Sequence, residues 1–237
     1  MKRFTFPNTN SLKKQYILAT VYLAITLVLG LTVTFLPVTQ FDYAILIYLQ
    51  TAVPNSIGIL PFQILTYLGD TYVWIAIAAI YFVYAFVKSQ KNLTSAVELA
   101  VFLLIVSLLT VALKVGFNRA RPDPSKVTVY SAESDPSYPS GHVSRATGGF
   151  AILSNKKRVA QALASVAVFA VALTRMILGL HFLTDVIGAV FLSLAAQNIA
   201  KILTTQLRLI ERLHCLQKWC SGQDSNLRTP TGKDFPS

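Results

Sequence analysis

Long apolar runs separated by short polar clusters set the pattern of this chain. The runs fall at 16–38, 72–87, 93–114, 142–154, 159–178 and 184–205, and most approach the roughly 20 residues that a helix needs to cross a bilayer. They predict an all-α integral membrane bundle of six transmembrane helices. The fourth run is short for an ideal span. Residues 41–68 are also apolar, but Pro54 and Pro61 interrupt them, which predicts a segment at the interface or packed against the bundle.

Neither an internal repeat nor a Gly/Ser linker divides the chain. The predicted organisation is a cytoplasmic N-terminal segment (1–15), one six-helix domain (16–205) and a basic cytoplasmic tail (206–237). Met1, Lys2 and Arg3 open like a signal peptide, but the apolar stretch begins only after Lys14, runs past about 20 residues and lacks a small-x-small site, so the first span is expected to stay as an anchor. From 201 to 219 a helical pattern continues, with Leu203, Leu207 and Ile210 on one stripe and Lys201, Arg208 and Arg212 on another. Two readings stand: a solvated continuation of the last span, or a helix resting on anionic lipid. The final SGQDSNLRTPTGKDFPS is polar and is expected to be disordered.

Charge sets the orientation. The formal net charge is +11, yet the basic residues sit at helix ends rather than along one soluble face, which argues against a nucleic-acid partner. With the N-terminus in the cytoplasm, 15 of the 21 Lys and Arg fall on that side. This is the direction of the positive-inside rule, and it predicts a multi-pass protein of the cell membrane with both termini cytoplasmic. Lys114, Arg119, Arg121, Lys126, Arg145 and Arg175 fall on the other side. Arg119 and Lys126 read as interfacial anchors, while the other four require another reason. Tyr72, Trp74 and Tyr84 are expected at interfaces and in packing, without a site role. Cys215 and Cys220 both lie in the tail and imply no disulfide framework. With His214 they lack the second ligand pair of a zinc site. The Asn92-Leu93-Thr94 sequon falls on the cytoplasmic side and reads as chance.

Three passages hold the remaining polar residues, all on the non-cytoplasmic face. In KVGFNRARP, six residues separate Lys114 from Arg121, and Pro122 ends the third helix so that both cations project from its end. Pro139-Ser140-Gly141-His142 opens the fourth helix. In TRMILGLHFLTD, Arg175 is followed after five residues by His181 and after three more by Asp185.

Each part suits a phosphoryl group. Lys114, Arg121 and Arg175 can meet the equatorial oxygens of a pentavalent phosphorus. Ser140 offers a hydroxyl, and the Gly141 amide offers a donor at a helix N-terminus. His181 and Asp185, four apart, share a helical face, so the carboxylate can fix the imidazole tautomer and leave the other nitrogen free to attack phosphorus. His142 can protonate the leaving alkoxide. The chemistry requires no metal and no cofactor.

Lys-x6-Arg-Pro, Pro-Ser-Gly-His and Arg-x5-His-x3-Asp, in this order, resemble the three signature motifs of the type 2 phosphatidic acid phosphatase superfamily. The resemblance covers residues 114–185 at motif level, and the six-helix plan extends it to about residue 205. It departs where Thr174 stands in place of the usual Ser, which keeps the hydroxyl. The resemblance implies a membrane lipid phosphate phosphatase with His181 as nucleophile through a phosphohistidine, Asp185 as its orienter and His142 as general acid. Lys114, Arg121, Ser140, Gly141 and Arg175 then form the phosphate cradle.

The expected substrate is a phospholipid or polyprenyl phosphate, hydrolysed at one membrane face, the extracytoplasmic one. Two other classes stay open: a phosphotransferase using the same intermediate, and a non-catalytic phospholipid binder or transporter. A haloperoxidase is disfavoured because those relatives are soluble. Arg145 lies one turn beyond His142. It predicts either a structural pair with Glu133 or Asp135, or a contact with a second phosphate of a diphosphate head group.

Overall fold

The computed structural model describes residues 9–36, 38–53, 57–88, 90–131, 133–154 and 157–206. Within them all regular structure is helical: α1 (Thr9–Phe35), α2 (Thr39–Ala52), α3 (Leu60–Thr66), a 3-10 turn (Tyr67–Gly69), α4 (Thr71–Lys88), α5 (Gln90–Phe117), α6 (Gly141–Leu153), α7 (Arg158–Ile177) and α8 (Leu183–Gln206). Every predicted run is a helix. The cysteines, His214 and the tail beyond 206 lie outside the described residues.

Five helices, α1, α4, α5, α7 and α8, are long and apolar enough to cross a bilayer, and the protein is a multi-pass membrane protein. Helix α6 is shorter. Its 13 residues rise about 20 Å at 1.5 Å per residue, less than a hydrocarbon core of about 30 Å. It is an inner helix, with Val143, Ser144, Ala146, Gly148 and Gly149 buried against its neighbours.

The faces follow from the sequence. In α7, Val159, Leu163, Val166 and Phe169 are exposed along one side, while Val171, Ala172, Arg175 and Met176 are buried on the other. Such an exposed apolar stripe suits contact with lipid tails, which compete with the protein for apolar contacts. Helices in a membrane therefore associate through close packing and small residues rather than a hydrophobic drive. Helix α8, with Gly188, Ala189, Ser193, Ala195, Ala196 and Ala200 buried, is the central one and packs against α1, α5 and α6. Trp74 and Phe102 fill the space between α4, α5 and α6.

The helices alternate in direction. The ends of α5 and α7 and the starts of α4, α6 and α8 meet at one end of the bundle. There, Arg121 beyond α5 donates to Leu180 O beyond α7 at 2.7 Å, Ser140 N to Asp185 O at 3.2 Å, and Arg145 Nε to Gly69 O at 3.1 Å. At the other end Gln206 of α8 reaches the Tyr16 hydroxyl of α1 at 2.7 Å. The segment broken by prolines packs on the first end, where Gln50 of α2 caps the carbonyls of Thr128 and Ile177 at 2.7 and 3.0 Å.

Two glycines shape this end. At Gly179, φ is +72° and a Cβ would stand 2.2 Å from Thr128 O, so the turn into His181 tolerates no side chain. At Gly188 a Cβ would come within 2.5 Å of the Tyr138 ring. The ring packs against α8 at this glycine and its hydroxyl donates to Thr26 O at 2.5 Å, which anchors the Pro-Ser-Gly-His turn.

Candidate active site

The three motif passages converge at this end of the bundle. Lys114 lies in the last turn of α5, Arg121 follows in the loop, Ser140 is the N-cap of α6, Gly141 and His142 open α6, and Arg175 lies in the last turn of α7. Lys114, Ser140, Gly141, Arg175, His181 and Asp185 are buried, and Arg121, His142 and Arg145 are half-buried. His142, Arg175, Glu133, Asp70, Thr66 and Leu180 line one cavity of about 490 Å³.

His181 differs from expectation in its setting. It precedes α8 by two residues, in the turn that Gly179 makes, rather than sharing a helical turn with Asp185. Its Nδ1 nevertheless lies 3.6 Å from Asp185 Oδ2. That is too long for a hydrogen bond, and it becomes an ion pair only when the ring is protonated. The reason is that Asp185 is engaged elsewhere: Oδ2 accepts from Ser137 Oγ and from Phe182 N at 2.8 Å, and Oδ1 accepts from Arg119 Nη1 at 2.5 Å. On the other side of the ring, Nε2 lies 3.5 Å from Arg121 Nη1. Burial pushes the imidazole down to about 4, the Asp185 carboxylate opposing it and Arg175 and Arg121 adding to it. The ring is therefore neutral at pH 7, with a lone pair on the side facing Arg121 if the proton sits on Nδ1.

The cations are not free. Arg175 Nη2 donates to Glu133 Oε1, Arg121 Nη2 lies 2.6 Å from Glu133 Oε2 and 2.7 Å from Asp135 Oδ1, and Lys114 Nζ lies 2.8 Å from Asp135 Oδ2. Lys114 also donates to Pro136 O, and Arg175 Nη1 to Thr66 Oγ1 at 3.2 Å. By contrast the Ser140 hydroxyl and Arg175 Nε are buried without a partner. Buried polar groups are normally paired, and the His181 Nδ1 beside them also lacks a hydrogen-bond partner, so these groups have bonding capacity to spare at the motif residues.

Two expectations are corrected. Arg119, read as an interfacial anchor, is a buried tie: besides Asp185 it holds Asp42 Oδ2 at 2.6 Å and Thr184 Oγ1 at 2.7 Å, and its guanidinium lies 4.4 Å over the Phe182 ring. Arg145 does not pair with Glu133 or Asp135, because those carboxylates are taken by Lys114, Arg121 and Arg175. Its Nε donates to Gly69 O instead. Asp42 and Ser137, which bond the candidate site residues Arg119 and Asp185, were not named from the motifs, and Glu133 and Asp135 were named only as partners for Arg145. Asp42 had a signal, being an acid inside an apolar stretch, where an uncompensated carboxylate is costly.

The PAP2 superfamily model matches residues 95–208, which contain all three motifs. This matched segment, just under half of the chain, is similar to the PAP2 superfamily. No curated protein matches it by sequence. Among solved structures it is similar to a transmembrane PAP2-type phosphatidylglycerolphosphate phosphatase from Bacillus subtilis, with TM-score 0.64 and 23% identity over 89% of this chain and 98% of that one. It is also similar to Aquifex aeolicus LpxE, with TM-score 0.59 and 21% identity over 67% of this chain and 93% of that one. At these identities the likeness is one of fold, and it places the PAP2 membrane architecture around the residues described above.

Proposed function

We propose that the protein is an integral membrane phosphatase that hydrolyses a lipid phosphate or diphosphate through a phosphohistidine on His181. The observation that carries this reading is the orientation of His181, with Nδ1 toward Asp185 and Nε2 toward Arg121. Nε2 attacks phosphorus, a P–N bond forms, the ester P–O bond breaks, and His142 protonates the departing alkoxide. Water then attacks the phosphohistidine while His142 takes its proton, the P–N bond breaks and inorganic phosphate leaves. Lys114, Arg121, Arg175, the Ser140 hydroxyl and the Gly141 amide hold the equatorial oxygens. Asp185 stabilises the imidazole by its charge, and Arg119 holds Asp185 in place. Arg145, beside Gly141 and in no close ion pair although Asp70 acts on its charge, contacts a second phosphate.

Helix α6 starts at the site end and α7 returns to it, which supports six crossings of a domain spanning about residues 16–205. The site then faces away from the cytoplasm and the segments 1–15 and 206–237 lie inside, as the charge asymmetry supports. A cysteine at Ser125 reacting with an impermeant reagent only after lysis would reverse that orientation. The activity is tested with purified protein and a chelator, measuring phosphate release from phosphatidate, a polyprenyl diphosphate, phosphatidylglycerol phosphate and a soluble sugar phosphate. Release from at least one lipid is expected. Release that appears only when magnesium is restored would overturn the metal-free mechanism, and binding without release would overturn the enzyme.

A further inference from the structure

The three cations of the cradle are already neutralised, and by an unusual pair. Glu133 and Asp135 both come from the loop between α5 and α6, and together they take a charged contact from each of Lys114, Arg121 and Arg175. The acids approach from the solvent side: the Asp135 side chain is 54% exposed, whereas that of Arg175 is 2% exposed. Burial alone would raise both carboxyls. The charge and hydrogen bond of Arg175 overcome it at Glu133, and those of Lys114 and Arg121 hold Asp135 at about 2. Both are therefore anionic at neutral pH. The cluster holds three positive and two negative charges, and the negative ones bridge its three cations.

We propose that Glu133 and Asp135 are specificity-determining residues: their carboxylates occupy the cation cluster in the substrate-free protein, and only a dianionic terminal phosphate displaces them, so that phosphodiester lipids are refused. The proposal rests on reading this cluster as the phosphate cradle. A phosphate monoester carries about −1.5 to −2 at pH 7 and replaces the two carboxylates charge for charge. A phosphodiester carries a single negative charge, and on entering it would leave the buried cations under-neutralised in a low-dielectric site, where like-charge repulsion is strongest. The need for such a filter is physical, since a site at the bilayer edge is surrounded by diester head groups. Exchange is also feasible. The backbone carbonyls of Asp135 and Pro136 stay bound to Arg121 Nε and Lys114 Nζ, so the loop keeps its anchor while the acid side chains swing to water.

The test compares inorganic phosphate with dimethyl phosphate as ligands of the purified full-length protein, wild type and the near-isosteric Glu133→Gln, Asp135→Asn double variant, by thermal shift and by competition. Wild type should bind phosphate at least about tenfold more tightly than dimethyl phosphate. In the variant that ratio should shrink about tenfold, mainly through tighter binding of the diester mimic. An unchanged ratio would overturn the proposal. So would equal binding of the two ligands by wild type, a result that needs no variant to fold. If wild type binds phosphate with the expected preference but releases none from any lipid, the filter stands and the hydrolase reading falls.

Discussion

Arg119 Nη1 lies 2.5 Å from Asp185 Oδ1, deep at the junction of α2, α8 and the loop after α5. With Asp42 on the other corner of the guanidinium, one buried cation serves two buried carboxylates. Removing one partner from such a group typically costs about 3–5 kcal/mol, because the remaining charge stays buried and unpaired. Arg119→Ala should therefore lower the melting temperature sharply or abolish folded protein. Arg119→Met with Asp42→Asn, which removes one charge of each sign, should recover much of the stability and little of the activity, because Asp185 still lacks its tie. Full recovery of both in a thermal melt and a turnover assay would show that Arg119 matters only to the fold.

The proposed division of labour between the histidines is separable by leaving group. His181→Ala should form no phosphoenzyme from any substrate. His142→Ala should lose about 10²–10⁴-fold on an alkyl phosphate, the usual worth of general acid catalysis, and much less on an aryl phosphate whose leaving group needs no proton. Rapid-quench trapping of the phosphoenzyme gives the comparison, and equal losses on both substrates would contradict it.

The titration of His181 gives a third check. Its burial holds the folded pKa at about 4, against an ordinary value of 6.5. As pH falls below 6.5 the unfolded chain takes up a proton that the native chain refuses, so this residue's share of stability declines until the pH reaches about 4. The ring stays neutral across the same window, so if His181 is the nucleophile proposed above, phosphoenzyme formation should persist at pH 5. The chain has 3 histidines, so His142→Gln with His214→Gln leaves one imidazole for nitrogen NMR. A midpoint near 4 is expected, and one above about 6 would place the ring in water.

How far these features were legible in the sequence depended on where their partners lay. Lys114 and Arg121, or His181 and Asp185, are linked by a few residues of chain, so their spacing alone argues for a shared site. Arg119 could not be read in this way. Its partners Asp42 and Asp185 are 77 and 66 positions away, and only the packing of α2 against α8 brings them together. Glu133 and Asp135 lie in a loop without periodicity, where the path of the backbone decides which cation each acid meets. Apolar runs located the helices but not the role of α6, whose glycines and alanine serve close packing inside the bundle rather than a long lipid-facing span.

Arg145 offers the sharpest test of substrate class. It stands one turn into α6, its Nε on Gly69 O and its Nη1 3.1 Å from where a Cβ on Gly141 would be. A guanidinium is costly in a bundle without a partner; the two loop acids expected to pair with it are held by Lys114, Arg121 and Arg175, and Asp70 compensates its charge without a close ion pair. It is thus a cation adjacent to the proposed phosphate site with donors to spare, and a guanidinium binds two oxygens of a phosphate at once. If a second phosphate fills that place, Arg145→Gln should raise KM for a polyprenyl diphosphate about tenfold or more, the scale of one charge-assisted contact, and leave KM for the monophosphate of the same chain within about twofold. The Arg145→Lys variant keeps the charge without the fork and should fall between. Equal increases for both substrates would reassign Arg145 to holding the turn at Gly69, and a fall in melting temperature alone would do the same.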